Sequence, residues 1–211
     1  MLTLSITANL PDETVIARAA DVLRRGGIVA YPTDTLYGLA VDPRRADAVV
    51  RLFAAKGRGA SAAMPLIAAS LDQAQEAAVF GVPELQLARA FWPGPLTIVL
   101  PARSGLAAAV LGGGTTVALR VPAHAVARAL AAAFGFSITA TSANRSGHPP
   151  AATGAGVAAA FDTAMDLLDV LLDAGAVTGG PPSTIVEMAE SGPRLVRAGA
   201  VAWSRVLESL E

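Results

Sequence analysis

Cysteine is absent from this 211-residue chain, which excludes disulfides, thiolate zinc sites and cysteine nucleophiles together. Histidine is scarce: His124 and His148 are too few for an imidazole-built metal cage. Aromatic residues make up 5% of the chain, a thin supply for a surface that stacks nucleobases. The net charge of −1 and pI near 6.1 provide no bulk field to recruit nucleic acid. A local basic patch stays open. Uninterrupted hydrophobic runs are missing too, because Arg128 breaks the stretch 126–136, and Asp162, Asp166 and Asp169 break 158–172. Neither reaches the roughly 20 apolar residues of a bilayer span. Met1 to Leu10 lack the cationic start and long apolar core of a secretory signal. A soluble, cytoplasmic protein with no membrane partner is the expectation.

The familiar nucleotide and hydrolase signatures are missing as well. There is no G-x-x-x-x-G-K-[ST] loop, no G-x-G-x-x-G between a strand and a helix, and no G-x-S-x-G elbow. Gly112-Gly113-Gly114 precedes a strand pattern and reads as a flexible turn.

What the chain does contain is apolar residues, 53% of the total, with a mean hydropathy of +0.51. Much of that excess is alanine, suited to closely packed helices. Helices are expected over 12–25, 46–55, 70–79, 84–91, 123–134 and 203–210, with one or two more between 153 and 169. The first has Val15, Ile16, Ala19, Val22 and Leu23 on one face. Ser70 with Gln73 gives the third a capping-box signature. Strands are expected over 28–31, 65–69, 96–100, 116–121, 137–141, 170–173, 184–188 and 194–196. This interleaving argues for one α/β domain, 1–211, with a mixed central sheet.

Polar residues cluster just after the apolar strands, where open α/β sheets place their ligands. Pro32-Thr33-Asp34-Thr35 follows the strand ending at Tyr31, and Ser142-Ala143-Asn144-Arg145-Ser146 follows the one ending at Thr141. Arg120 and Arg197 close two further strands. Lys56 and Arg58 flank a glycine before the Pro65 strand. Taken singly, each segment is ordinary turn chemistry. Together they supply neutral donors and cations with few carboxylates, which suits a phosphate-type anion. Lys56 stands out because the chain has fifteen arginines and one lysine. Either an ammonium is required there or the lysine is a chance survivor. It reads as an exposed loop residue.

The spelling and order of these segments go further. Gly27 to Leu39 (GIVAYPTDTLYGL), Lys56-Gly57-Arg58, Pro65-Leu66-Ile67 and Phe91 to Thr97 (FWPGPLT) are followed by Val117 to Pro122 (VALRVP). Thr141 to Gly147 (TSANRSG), Pro182 to Val186 and Val196 to Gly199 complete the set. In this collinear order they closely resemble the YrdC-like threonylcarbamoyl-AMP synthase family, over about Ala20 to Ala200. The resemblance implies an open, twisted, mixed α/β sheet with flanking helices around a concave cavity. It implies a nucleotidyltransferase that condenses L-threonine, bicarbonate and ATP into threonylcarbamoyl-AMP and pyrophosphate. The product would pass to a tRNA threonylcarbamoyl-transferase complex, with weak tRNA binding possible.

Position by position, the resemblance makes Thr33, Arg120, the Ala140 backbone and Ser183 contacts for L-threonine. Lys56, Arg58, Thr116, Ser142, Asn144 and Arg197 become nucleotide contacts, with Lys56 and Arg58 the catalytic cations at the phosphates. Tyr37 is either a pocket wall or a core aromatic. Mg²⁺ would arrive with ATP, held by its phosphates and water, with Asp34 the nearest carboxylate. His124 reads as a helix-start residue. Several positions depart from the family pattern: Ala69 stands for a common His, Pro150 for a hydroxyl, Pro182 for a Glu and Ala198 for a Pro. The chain resembles the short form, without a C-terminal domain. A hydrogenase-maturation carbamoyltransferase shares the domain type but is longer and cysteine-rich. The alternative of another class is a non-catalytic RNA-binding protein of the same fold.

Overall fold

A computed structural model describes residues 1–57, 63–161 and 167–211. Strand β1 (Leu2–Ser5) leads into helix α1 (Glu13–Arg24), whose first turn is capped by the Asp12 carboxylate accepting from Thr14 N and Val15 N. The short strands β2 (Val29–Tyr31) and β3 (Gly38–Ala40) follow, then α2 (Ala46–Lys56) and β4 (Leu66–Ile67). Helices α3 (Leu71–Ala77) and α4 (Val82–Phe91) precede β5 (Leu96–Pro101) and β6 (Thr116–Arg120). Next come α5 (Ala125–Phe134), β7 (Ile138–Thr139), β8 (Thr141–Ser142) and α6 (Gly154–Ala160). The chain ends with β9 (Val170–Asp173), β10 (Thr184–Ala189), β11 (Gly192–Arg197) and α7 (Trp203–Glu208).

The mixed α/β architecture is the expected one, and its strands divide between two mixed sheets. One runs β1-β9-β2-β3-β8 and the other β11-β10-β5-β6-β4-β7. The segment 137–141, expected as one strand, is where the chain passes between them. β7 pairs with β4 in the second sheet, β8 pairs with β3 in the first, and Ala140 is the pivot. β1 and β3 had no counterpart in the sequence reading: β1 pairs with the distant β9, and β3 is three residues long, set between the adjacent β2 and the distant β8.

Alanine sets the helix packing. Ile16, Ala19, Ala20 and Leu23 of α1 share a buried cluster with Val126, Ala127, Leu130 and Ala131 of α5. The small side chains let the two helices approach closely, while each fully buried large aliphatic contributes about 1.5–3 kcal/mol. Ser70 Oγ accepts from Gln73 N at 3.2 Å as the capping box requires. The Gln73 side chain instead accepts from Ala69 N.

One expectation about exposure is corrected. Lys56 is the last residue of α2 and only 3% exposed, not a loop residue in solvent. Gly57 closes the helix in the left-handed region at φ 61°, so α2 runs one residue further than its apolar pattern and carries Lys56 under the neighbouring loop.

Candidate active site

Strand alternation builds the site. β5 turns Leu96, Ile98 and Leu100 into the core and Thr97 and Val99 to the opposite face. β6 likewise buries Val117 and Leu119 and presents Ala118 and Arg120. That second face is the floor of a cavity of about 490 Å³. Strand register lines up one rung across it. Ile185 is opposite both Thr97 and Arg197, and the Ile98–Leu119 pairing puts Thr97 across from Arg120. The first sheet supplies the facing wall through Tyr31, the turn from Thr33 to Gly38, and Ala140 to Ser142. Gly38 keeps that wall close, since a Cβ there would sit 3.1 Å from the Tyr31 ring and hydroxyl and require the Tyr31 side chain to shift by a few tenths of an ångström.

The charges in and beside the cavity are unbalanced. Arg120, 7% exposed, donates from Nη2 to Asp34 Oδ1 at 2.8 Å. Asp34 reaches it from beside the cavity rather than from its lining. Arg197 has no carboxylate partner among the described residues and donates to Ser183 O at 2.7 Å and Ser183 Oγ at 3.2 Å. Desolvation at the wall, and then the Arg120 charge, lower its pKa from the ordinary guanidinium value. Among the described residues, two guanidiniums against one carboxylate give the site a net positive charge that suits an anion.

Hydroxyls complete the lining. Thr33 Oγ1 donates to Leu36 O at 2.7 Å and accepts from Thr35 N, folding the turn over the cavity. Tyr31 is fully buried with its hydroxyl on Thr139 O, and burial, only partly opposed by Arg120, pushes that phenol up. Tyr37 borders the cavity but ties its hydroxyl to Gly175 O and Ala174 N on the far side.

Of the residues singled out from the sequence, Thr33, Arg120, Ala140, Ser142, Ser183 and Arg197 line the cavity. Lys56, Asn144 and Thr116 do not. Lys56 Nζ donates to the carbonyls of Ser142 (2.5 Å) and Asn144 (2.9 Å). Asn144 accepts from Ser142 Oγ and donates to His148 O, bracing the same loop from inside. Thr116 is exposed at the outer end of β6, two residues before Ala118. Arg58 lies outside the described residues. His124 occupies the N-cap position of α5 without capping through its side chain; burial holds its pKa below the usual imidazole value, opposed by Asp34.

The sequence reading missed Thr97. It is 4% exposed, lines the floor, and its hydroxyl lies 2.8 Å from Ser183 Oγ. A signal was present: Thr97 is the lone polar side chain between Leu96 and Leu100 in an apolar strand.

The protein is thus a mixed α/β domain whose two sheets border a cationic, hydroxyl-rich cavity, a lining suited to an anionic ligand. The family model Sua5_yciO_yrdC, described as Telomere recombination, matches residues 21–199, and the chain belongs to this family. The Threonylcarbamoyl-AMP synthase of Halorhodospira halophila is 47% identical over 154 residues, spanning 72% of this chain and 81% of that protein. That of Chromohalobacter salexigens is 42% identical over 185 residues, spanning 86% and 96%. The crystal structure of P. abyssi Sua5 complexed with L-threonine superposes with a TM-score of 0.91 at 34% identity. It matches 99% of this chain, which spans 61% of that one.

Proposed function

We propose that this protein is a threonylcarbamoyl-AMP synthase, acting in the cytoplasm as one domain. It joins L-threonine, bicarbonate and ATP and releases pyrophosphate. The observation that carries the reading is the Arg120–Thr97–Arg197 rung beneath a hydroxyl-lined cavity, in a chain whose relatives bear that name. Supporting it on the membrane side, no helix of the described residues is long and apolar enough to cross a bilayer.

The chemistry needs no covalent enzyme intermediate. The threonine amine adds to carbonate carbon and loses water, giving a carbamate. A carbamate oxygen then attacks the α-phosphorus of ATP, and the bond to the bridging oxygen breaks as pyrophosphate leaves. The protein's task is to hold two anions against each other and to offset charge developing at phosphorus. Arg120 takes the threonine carboxylate, for which its fork is well shaped. Thr33, Ser183 and the Ala140 backbone complete that pocket. The family resemblance assigns Arg197, Ser142, Thr116 and Arg58 to the nucleotide, and Lys56 and Asn144 brace the Ser142 loop. Mg²⁺ accompanies the ATP phosphates. Among the described residues no cluster of three His, Asp or Glu fits a protein-built metal site, and Asp34 is engaged by Arg120. No step is assigned to such a site. The threonylcarbamoyl group then passes to a tRNA threonylcarbamoyl-transferase complex.

A pyrophosphate-release assay tests the reading. Turnover should require threonine, bicarbonate and ATP together. Serine should be used less well by one methyl's worth, about 1–3 kcal/mol, and valine should be rejected more strongly. Equal turnover of valine and threonine, or RNA binding without any turnover, would overturn it.

A further inference from the structure

Ser183 Oγ is held by two neighbours. Arg197 Nη2 lies 3.2 Å away and can only donate, so it occupies one lone pair. Thr97 Oγ1 lies 2.8 Å away, and either hydroxyl could be the donor. Burial decides between them. Thr97 is 4% exposed and its hydroxyl has no other hydrogen-bond partner among the described residues, whereas Ser183 is half-buried at the cavity wall. If Ser183 donated, the Thr97 proton would have to seek a partner from a side chain only 4% exposed at the cavity floor, whereas the more exposed Ser183 can present its proton to ligand or solvent. With Thr97 donating, both Ser183 lone pairs are filled and its own proton is free to turn into the cavity.

We propose that Thr97 is a positioning residue that makes Ser183 a donor toward the bound amino acid. Its partner is then an acceptor oxygen of the ligand, either carboxylate or hydroxyl. The amino acid thus meets donors from Arg120 and from Ser183, both of which line the cavity. An amine nitrogen in its protonated form finds no acceptor at Ser183, so the reactive end of the amino acid is turned away from this wall. The inference rests on the threonine-binding reading of Ser183.

The test is steady-state kinetics on Thr97→Val, which keeps the shape and loses the hydroxyl, and Thr97→Ser, which keeps the hydroxyl. Thr97→Val should raise the threonine KM about tenfold, the scale of one aimed hydrogen bond. The ATP KM and the thermal midpoint should hold, and Thr97→Ser should restore threonine KM. Ser183→Ala should raise the threonine KM too, and adding Thr97→Val to it should change nothing further, because the hydroxyl being aimed is gone. A Thr97→Val enzyme with wild-type threonine KM overturns the inference, as do additive effects in the double variant or a Ser183→Ala enzyme that binds threonine normally. If the unaltered protein shows no threonine-dependent pyrophosphate release, the functional reading itself fails and takes this inference with it.

Discussion

Replacing Lys56 by methionine isolates the contribution of one ammonium. The stem stays packed at the end of α2 while the two bonds to Ser142 O and Asn144 O disappear. Each charged hydrogen bond contributes about 1.5–3 kcal/mol, and part of that is offset by no longer desolvating the ammonium. A net loss of about 2–4 kcal/mol follows. For a chain of this size each kcal/mol moves the midpoint by about 2–4 °C, so ligand-free protein should melt about 5–15 °C lower. Ser142, released from below, should also drift from the cavity wall, lowering turnover even at saturating ATP. The assay is a thermal melt of ligand-free protein beside pyrophosphate-release kinetics. A lysine that only touches phosphate would leave the ligand-free melt unmoved. A shift under about 2 °C with a large loss of turnover would therefore refute the bracing argument.

Arg120→Lys keeps the charge and loses the planar fork, so the threonine KM should rise at least about tenfold while the ATP KM holds; unchanged threonine kinetics would remove Arg120 from the carboxylate. Gly199→Ala should disable the Ser183 side of the cavity, because a Cβ there would lie 2.2 Å from Pro182 O and 2.6 Å from Thr184 N, both backbone. A loss of several kcal/mol in a denaturant titration is expected, on the order of other forced backbone shifts, and a wild-type midpoint would show that the segment yields freely. Tyr37 has its pKa pushed up to about 12, chiefly by burial. Raised above its unfolded value near 10, it gives stability that is complete below about pH 10 and lost as pH rises through about 12. Tyr37→Phe should therefore show a shallower alkaline loss of stability, and an unchanged alkaline limb would refute the assignment.

Much of this molecule is local and so was legible in the residues. The α1 face, the Ser70 cap, and the strands over 96–100 and 116–121 depend on neighbours a few positions away. So do the polar turns after β2 and β8. The order of these and the other quoted segments carried the family resemblance, which named six of the residues that line the cavity. A lone threonine and a lone arginine in apolar strands were equally visible, though only the arginine was picked out.

The tertiary structure decided what depends on pairing across the chain. The division into two sheets turns on Ala140, where β7 and β8 part toward different partners. No local pattern distinguishes that from a single strand. Lys56 illustrates the same limit, since its burial arises from carbonyls 86 and 88 residues away. The Asp34–Arg120 pair spans 86 residues, and the Thr97–Ser183 contact spans 86 as well. Side-chain type and strand period are written in the nearby sequence, because sterics and hydrophobic patterning act over a few residues. Which hydroxyl faces which, and which charge is neutralised, is set by strand register, a long-range choice made when the two sheets close around one cavity.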